Sequence, residues 1–293
     1  MPQDATVIWP ANAELGEGPV WSPEHRALLF VDIRRARLHA WHPDSDERQS
    51  WTLDEACCWL LPREGGDFVA GLRSGIVELS LDATGPHPGK RLTPIDWLPE
   101  GDRLNDAKSD REGRLWFGSM DNAETHANGY LYRLDGRGLS EVDRDYAITN
   151  GPAIAPDGRT LYHNDSARQT VFAFDLNDAG ELSGKRELIR LPSGRGFPDG
   201  MTCDHEGNLW IALWDGARVA RYRPDGQLDR EVSLPVSRPT SCAFGGDNLE
   251  RLFVTSAATG CPDEPLAGAL FEIVTDIGGL AETPIHLPTT SGL

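Results

Sequence analysis

The 293-residue sequence predicts an all-β fold, a six-bladed β-propeller. Three segments that read Asp/Pro-x-x-Gly-x-Leu-aromatic, or a close variant, precede three strand aromatics, Trp116, Tyr162 and Trp210. These aromatics lie 46 and 48 residues apart, a period typical of one four-stranded blade rather than of a helical repeat. Each copy is followed by a run in which apolar and polar residues alternate, the pattern of a strand with one buried face.

The elements follow in order along the chain. Apolar runs at 28–31, 67–70, 114–117, 159–162, 208–211 and 251–254 predict one strand in each of six blades. Alternating runs at 38–41, 76–81, 130–134, 171–174, 219–222 and 269–273 predict the next strand of each blade. Asp135-Gly136 and Pro224-Asp225-Gly226 are turn sequences between such runs. Residues 6–9 have no blade of their own, so we expect them to complete the last blade and close the ring.

Composition limits the function classes. The chain has 28 basic and 46 acidic residues and a net charge of −18, which disfavours nucleic acid and anionic membranes as partners. No stretch reaches the roughly 18 apolar residues of a membrane helix, and the first residues lack the features of a secretory signal, so we expect a cytoplasmic protein. Five cysteines, two of them adjacent at Cys57 and Cys58, indicate small core residues rather than disulfides. Repeats without a linker predict a single domain over residues 1–293, and the acidic surface favours a monomer.

Four oxygen-bearing side chains occupy equivalent positions ahead of the repeats. Asn105 lies 11 residues before Trp116, Asn150 lies 12 before Tyr162, Asp199 lies 11 before Trp210, and Glu17 occupies the same phase in the first blade. The innermost strand of each blade lines the central channel, so these side chains should converge near the axis. The second and sixth blades place residues 57–59 and 239–241 there, which are poorer ligands.

Such a cup has the chemistry of a metal site. Hard oxygen ligands favour Ca²⁺, Mg²⁺ or Mn²⁺, and an ion with few protein ligands keeps positions for water or substrate. A glycine follows Glu17, Asn150 and Asp199 directly, where we expect the backbone to turn sharply. Each dipeptide alone is an ordinary turn sequence, and it is their recurrence at one phase of the repeat that favours a site.

The same segments carry a family resemblance. Leu-Gly-Glu-Gly-Pro at 15–19, Arg-Leu-Asn-Asp-Ala-Lys at 103–108, Trp-Phe-Gly-Ser-Met at 116–120, Thr-Asn-Gly-Pro at 149–152 and Phe-Pro-Asp-Gly-Met at 197–201 resemble the senescence marker protein/gluconolactonase family, also called regucalcin-like. The resemblance extends from about residue 14 to residue 272. Within the family the chain is most similar to bacterial sugar-acid lactonases of the xylonolactonase and arabinolactonase kind.

The resemblance implies hydrolysis of a sugar lactone, an aldonolactone, with one divalent metal ion in the channel mouth. Carried over by position, the metal ligands are Glu17, Asn150 and Asp199, the substrate-binding residues are Arg103 and Asn105, and Asp199 is also the catalytic base. Whether Asp199 takes the proton of the attacking water or the metal activates that water directly stays open. The identity of the ion also stays open among Ca²⁺, Zn²⁺, Mn²⁺ and Fe²⁺.

Rival functions are less well supported. The sequence has no Gly-x-Ser-x-Gly elbow, phosphate loop, dinucleotide glycine motif or His-Glu-x-x-His helix. A paraoxonase-like esterase would need an apolar lid, for which no apolar helix is predicted. A calcium-binding or scaffold propeller without turnover stays open, since this fold often serves as a binding platform. The loop at 121–128 is interpreted as an exposed polar segment without a substrate role, with a pocket rim formed by Asp121, Asn122 and Glu124 as the alternative. His163, Asp165 and Trp214 follow inner strands and could reach the channel, but packing in the core or hydrogen bonding between blades is the favoured interpretation.

Overall fold

The computed structural model describes residues 5–287 and arranges them in six four-stranded antiparallel sheets. The first blade contains β2 (Gly16–Ser22), β3 (Ala27–Asp32), β4 (Arg37–His42) and β5 (Glu47–Thr52), and the second contains β6 (Cys57–Pro62), β7 (Phe68–Leu72), β8 (Gly75–Asp82) and β9 (Gly85–Pro94). The third contains β10 (Asp102–Ser109), β11 (Leu115–Asp121), β12 (Gly129–Asp135) and β13 (Gly138–Tyr146), and the fourth contains β14 (Thr149–Ile154), β15 (Thr160–Asp165), β16 (Thr170–Leu176) and β17 (Leu182–Arg190). The fifth contains β18 (Phe197–Cys203), β19 (Leu209–Trp214), β20 (Arg218–Tyr222) and β21 (Leu228–Ser233). The sixth contains β22 (Pro239–Gly245), β23 (Arg251–Ser256), β24 (Leu270–Val274) and the first strand, β1 (Ala5–Trp9).

The predicted six-bladed propeller is confirmed. The first five blades run from the innermost to the outermost strand in chain order, and the sixth does so from β22 to β24. The inner strands β2 and β22 pack together, so the first blade lies against the last. β1 pairs with β24, which places the first strand of the chain on the outer edge of the sixth blade. Between residues 5 and 287, no helix is long and apolar enough to cross a membrane.

Two buried aspartates explain why the sequence repeat takes its form. Asp110 lies in the turn before β11, where its carboxylate accepts from backbone N–H groups of that turn and, at 2.8 Å, from the indole of Trp116. Asp204 does the same before β19, with the Trp210 indole 3.0 Å away. A carboxylate that receives several N–H donors fixes the turn and the following strand together. The repeated spacing from Asp to Trp is therefore a hydrogen-bonded unit.

The core lies between the blades. Trp59, Trp116 and Trp210, on β6, β11 and β19, are among the largest fully buried side chains, and each belongs to an apolar cluster. Cys57 and Cys58 are buried free thiols, as the sequence predicted. This packing is dense around the ring, so the inner strands hold their positions relative to one another.

Candidate active site

Every inner strand carries an irregularity near the same end of the channel. In β2, β10, β14, β18 and β22 two residues stand opposite one residue of the neighbouring strand, and β6 has a related shift. Such β-bulges change the direction of the side chains beside them and are common next to active sites. The predicted ligand positions lie in these bulges or directly before them. The bulges are the local structural reason that side chains of separate blades meet at one point.

All five predicted site residues line one cavity of about 510 Å³ at the channel mouth. They are Glu17, Arg103, Asn105, Asn150 and Asp199. The volume lies in the range of small-molecule sites. The acidic and amide side chains are buried at its base, while Arg103 is half-buried. The structure therefore brings together residues that the sequence separates by as many as 182 positions, counted from 17 to 199.

A chain of hydrogen bonds orients the two amides. Arg103 donates to the Asn105 carboxamide oxygen through Nη1, and Asn105 Nδ2 donates to Asn150 Oδ1 at 2.8 Å. Asn150 Nδ2 in turn donates to Ser166 Oγ at 2.8 Å, and that hydroxyl donates to the Pro198 carbonyl at 2.6 Å. Because its nitrogen is committed to Ser166, Asn150 presents oxygen on the side of Asn105. The network links the third, fourth and fifth blades.

Two carboxylates lie at the base of the cavity without a matching pair of cations. Burial, with further repulsion from Asp106, raises the pKa of Glu17 to about 8. Burial and then repulsion from Glu17 and Asp106 raise the pKa of Asp199 well above its usual range. Arg103 opposes the shift at both carboxylates as a smaller contribution. Two negative charges in this desolvated position are costly to hold together unless a cation joins them.

The donor set fits a divalent cation. Asp199 Oδ1 is buried and has no hydrogen-bond partner among the described residues, and an orphaned buried carboxylate oxygen usually coordinates or binds something. Glu17, Asn150 and Asp199 would supply three oxygen ligands, the kind that hard cations prefer. Within residues 5–287 no three His, Cys, Asp or Glu side chains form a metal cluster, so this site requires the amide oxygen of Asn150.

The three neighbouring glycines are required for two different reasons. Gly18 and Gly151 have φ of 52° and 69°, the left-handed region expected for a sharp turn. Gly200 does not have a positive φ, which differs from the expectation. A Cβ there would lie 2.1 Å from Ser241 Oγ, so Gly200 is instead required by the close approach of the sixth blade.

Several further residues line the cavity beside the five predicted ones. Trp214 packs against the main apolar cluster, as expected, and its partly exposed side chain also lines the cavity. Asn122 and Glu124 are exposed, as the loop prediction requires, but they also form the cavity rim, and Asn122 Oδ1 accepts from Arg103 Nε at 3.0 Å. The rim position was the alternative that the sequence left open for this loop, but nothing in the sequence indicated the hydrogen bond to Arg103.

His163 and Asp165 are fully buried in β15, as expected for core residues. Between them, Asn164 donates to the Asp199 carbonyl at 2.6 Å. Asn164 therefore holds the backbone that carries Asp199. The sequence did not predict this supporting role, because Asn164 lies on β15, the second strand of its blade, and not on an inner strand.

Known proteins resemble this chain over nearly its whole length. A family model described as the SMP-30/Gluconolactonase/LRE-like region matches residues 15–258. The chain is 36% identical to 6-deoxy-6-sulfogluconolactonase of Pseudomonas putida, with 92% of this chain and 94% of that protein covered. It is 33% identical to L-arabinolactonase of Azospirillum brasilense, with 94% of each covered.

Solved structures share the fold of this chain over nearly its whole length. A calcium-binding protein, regucalcin, of Agrobacterium tumefaciens superposes with a TM-score of 0.91 at 27% identity, with 98% of this chain and 99% of that chain covered. Sequence motifs, family model and fold agree. The chain belongs to the SMP-30/gluconolactonase/LRE-like family.

Proposed function

We propose that this protein hydrolyses a sugar lactone to the free sugar acid in the mouth cavity of the propeller. The observation that carries the proposal is the convergence of Glu17, Asn150 and Asp199 beneath Arg103 in one small-molecule-sized cavity. Two relatives that cover more than nine-tenths of the chain bear the names of sugar lactonases. The monomeric state and cytoplasmic location stay predictions.

In this proposal Glu17, Asn150 and Asp199 hold one divalent cation. When bound there, the ion supplies positive charge beside the lactone carbonyl and offsets the two carboxylates. The regucalcin of Agrobacterium tumefaciens is described as calcium-binding, which supports a divalent ion without fixing which one this chain uses. The shortage of local cations at the two carboxylates supports the same assignment.

The chain's own residues divide the reaction between them. Water adds to the lactone carbonyl carbon, the ring C–O bond breaks, and the ring oxygen leaves as a hydroxyl. We assign to Asp199 the removal of the water proton and its return to the leaving oxygen, because it is a carboxylate in the cavity at the position that the family resemblance implies for the base. Arg103 donates to the oxyanion or to sugar hydroxyls from its cavity position, and Asn105 positions both Arg103 and Asn150.

The alternative of an esterase with an apolar lid has less support. The elements found in residues 5–287 are strands, and the cavity base is charged and polar. A binding platform without turnover would use the same oxygen ligands. An assay of turnover is therefore the informative test.

The test measures acid release from a panel of γ- and δ-aldonolactones by metal-stripped protein, with and without each divalent ion. The uncatalysed opening of each lactone is subtracted. We expect one or more ions to restore hydrolysis in the wild type and in Asp247→Asn, a control at an exposed carboxylate. Tight ion binding without turnover of any lactone would overturn the proposal.

A further inference from the structure

One wall of the mouth cavity has no part in the chemistry above. It is formed by Arg34, between β3 and β4, Arg238, just before β22, and Thr259, which follows β23. These residues come from the first and sixth blades. The Asn122 and Glu124 rim belongs to the third blade, which lies across the ring from the sixth.

The two arginines converge on Thr259. Arg34 Nη1 donates to the Thr259 hydroxyl at 3.3 Å, and Arg238 Nη1 donates to the Thr259 carbonyl at 2.6 Å. The Thr259 hydroxyl donates to the Glu14 carbonyl at 2.7 Å, which fixes this residue between the two guanidinium groups. The two guanidinium groups therefore meet at one residue although they come from different blades, and each has one carboxylate near it, Glu14 for Arg34 and Asp215 for Arg238.

Arg238 is held rigidly with donors to spare. Its Nε donates to Asp215 at 2.7 Å, and its guanidinium carbon lies 4.6 Å from the centre of the Trp214 ring. In the part of the chain that the structure describes, no hydrogen bond is formed by Nη2. A guanidinium fixed by stacking and by one carboxylate presents its remaining N–H groups in a set direction, which suits an anion with several oxygens.

Arg34 is held by weaker contacts than Arg238. Its nearest carboxylate is Glu14, at 3.8 Å, and the side chain is 47% exposed at the cavity rim. Arg35 lies at a similar distance, 3.7 Å, from the same Glu14 carboxylate, so one acid faces two arginines. In a chain with a net charge of −18, this wall is locally rich in positive charge.

The wall and Asp199 line the same cavity, so one ligand can contact both. Trp214, which supports Arg238, pairs with Phe197 across β18 and β19. Phe197 precedes Asp199 by two residues, a rise of roughly 7 Å along a strand. A ligand held at Asp199 by its lactone group can therefore direct its far end towards the arginines.

From this geometry we propose that Arg34 and Arg238 bind an anionic group at the end of the sugar remote from the lactone carbonyl. The substrate class is then a lactone that carries a terminal phosphate, sulfonate or carboxylate, rather than a neutral aldonolactone. This inference rests on the proposed function for its reaction. Its binding component does not depend on turnover.

The kinetic test compares glucono-1,5-lactone with its 6-phosphate and 6-sulfonate analogues at low ionic strength. We expect kcat/KM of the wild type to favour the anionic lactones by about tenfold or more, the range of one or two hydrogen bonds to a charged group. Arg34→Gln and Arg238→Gln should each reduce that preference ratio. Arg186→Gln, at an exposed arginine paired with Asp175, should leave the ratio as it is.

The binding test uses calorimetry with 6-phosphogluconate and gluconate, and so reports on the wall even if no lactone is turned over. Tighter binding of 6-phosphogluconate to the wild type than to Arg34→Gln supports the proposal, and added salt should weaken that advantage. Hydrolysis of neutral and anionic lactones at equal efficiency, or a preference that survives in both arginine variants, overturns the inference but leaves the lactonase proposal intact. Absence of all hydrolysis with the binding preference retained overturns the lactonase proposal instead.

Discussion

A buried histidine should make the fold sensitive to acid. His163 lies in β15 with its ring centre 4.7 Å from that of Tyr146 in an edge-on arrangement. Neither ring nitrogen has a hydrogen-bond partner among residues 5–287, and the side chain is fully buried. Burial lowers the pKa of His163 to about 3, against an ordinary value of 6.5, while Asp143 opposes the shift and Lys185 adds to it.

The magnitude follows from that difference. At pH 8 the ring is neutral in both the folded and the unfolded chain, so it adds no pH dependence there. Below pH 6.5 the unfolded chain binds a proton that the folded chain excludes, and the free energy of unfolding therefore decreases. At pH 5 the unfolded pKa is about 1.5 units above the solution pH, which corresponds to about 2 kcal/mol.

The assay is urea unfolding followed by tryptophan fluorescence at pH 8 and pH 5. His163→Leu removes the titrating group and its unpartnered nitrogens, so the loss of stability between the two pH values should be smaller by about 2 kcal/mol than in the wild type. His39, whose pKa burial lowers to about 4, remains in both proteins and cancels in the comparison. His87→Gln, at an exposed histidine, is the control and should not reduce the acid sensitivity. An equal loss in His163→Leu and the wild type would refute the reasoning.

Two further substitutions test the support of the site. Gly151→Ala should destabilise the protein by at least about 1 kcal/mol, because it places a side chain at positive φ and its Cβ 2.4 Å from Met201 Cε. The matched control Gly101→Ala also has positive φ but meets nothing within 4 Å, so an equal effect on the unfolding midpoint would contradict the steric explanation. Glu282→Gln should cost about 3 kcal/mol, because it leaves Lys108 largely buried without the carboxylate 2.7 Å away. An unchanged urea midpoint for that variant would show that the ion pair does not hold the C-terminal segment against the channel.

Much of the fold and site could be predicted because the sequence repeat determines both the strands of each blade and the positions of the side chains that line the channel. The 46- and 48-residue steps between Trp116, Tyr162 and Trp210 predicted the blade length, and hydrogen bonds from Trp116 to Asp110 and from Trp210 to Asp204 explain why the Asp-to-Trp spacing recurs. Residues at one phase of a ring repeat converge by symmetry, which is why the sequence alone predicts Asp199 at the channel mouth.

The remaining site residues do not recur at one fixed position of the repeat. Trp214 and Arg238 reach the cavity from the ends of blade strands, and their approach depends on loop conformation between blades. The segment after the last blade also gave no periodic signal, although Glu282 reaches Lys108 in the channel. Local pattern does not encode contacts that form only when distant loops fold over the ring.

The central claim is that Asp199 and its neighbours perform lactone hydrolysis. The most direct test is the rate of aldonolactone hydrolysis by Asp199→Asn with saturating divalent ion, compared with the wild type and Asp247→Asn. The substitution keeps the shape and removes the charge, so we predict a decrease of about 100-fold or more. The metal-free variant should unfold at an equal or higher urea concentration, because one of two repelling buried carboxylates is gone. A folded Asp199→Asn protein with the wild-type rate would contradict the account.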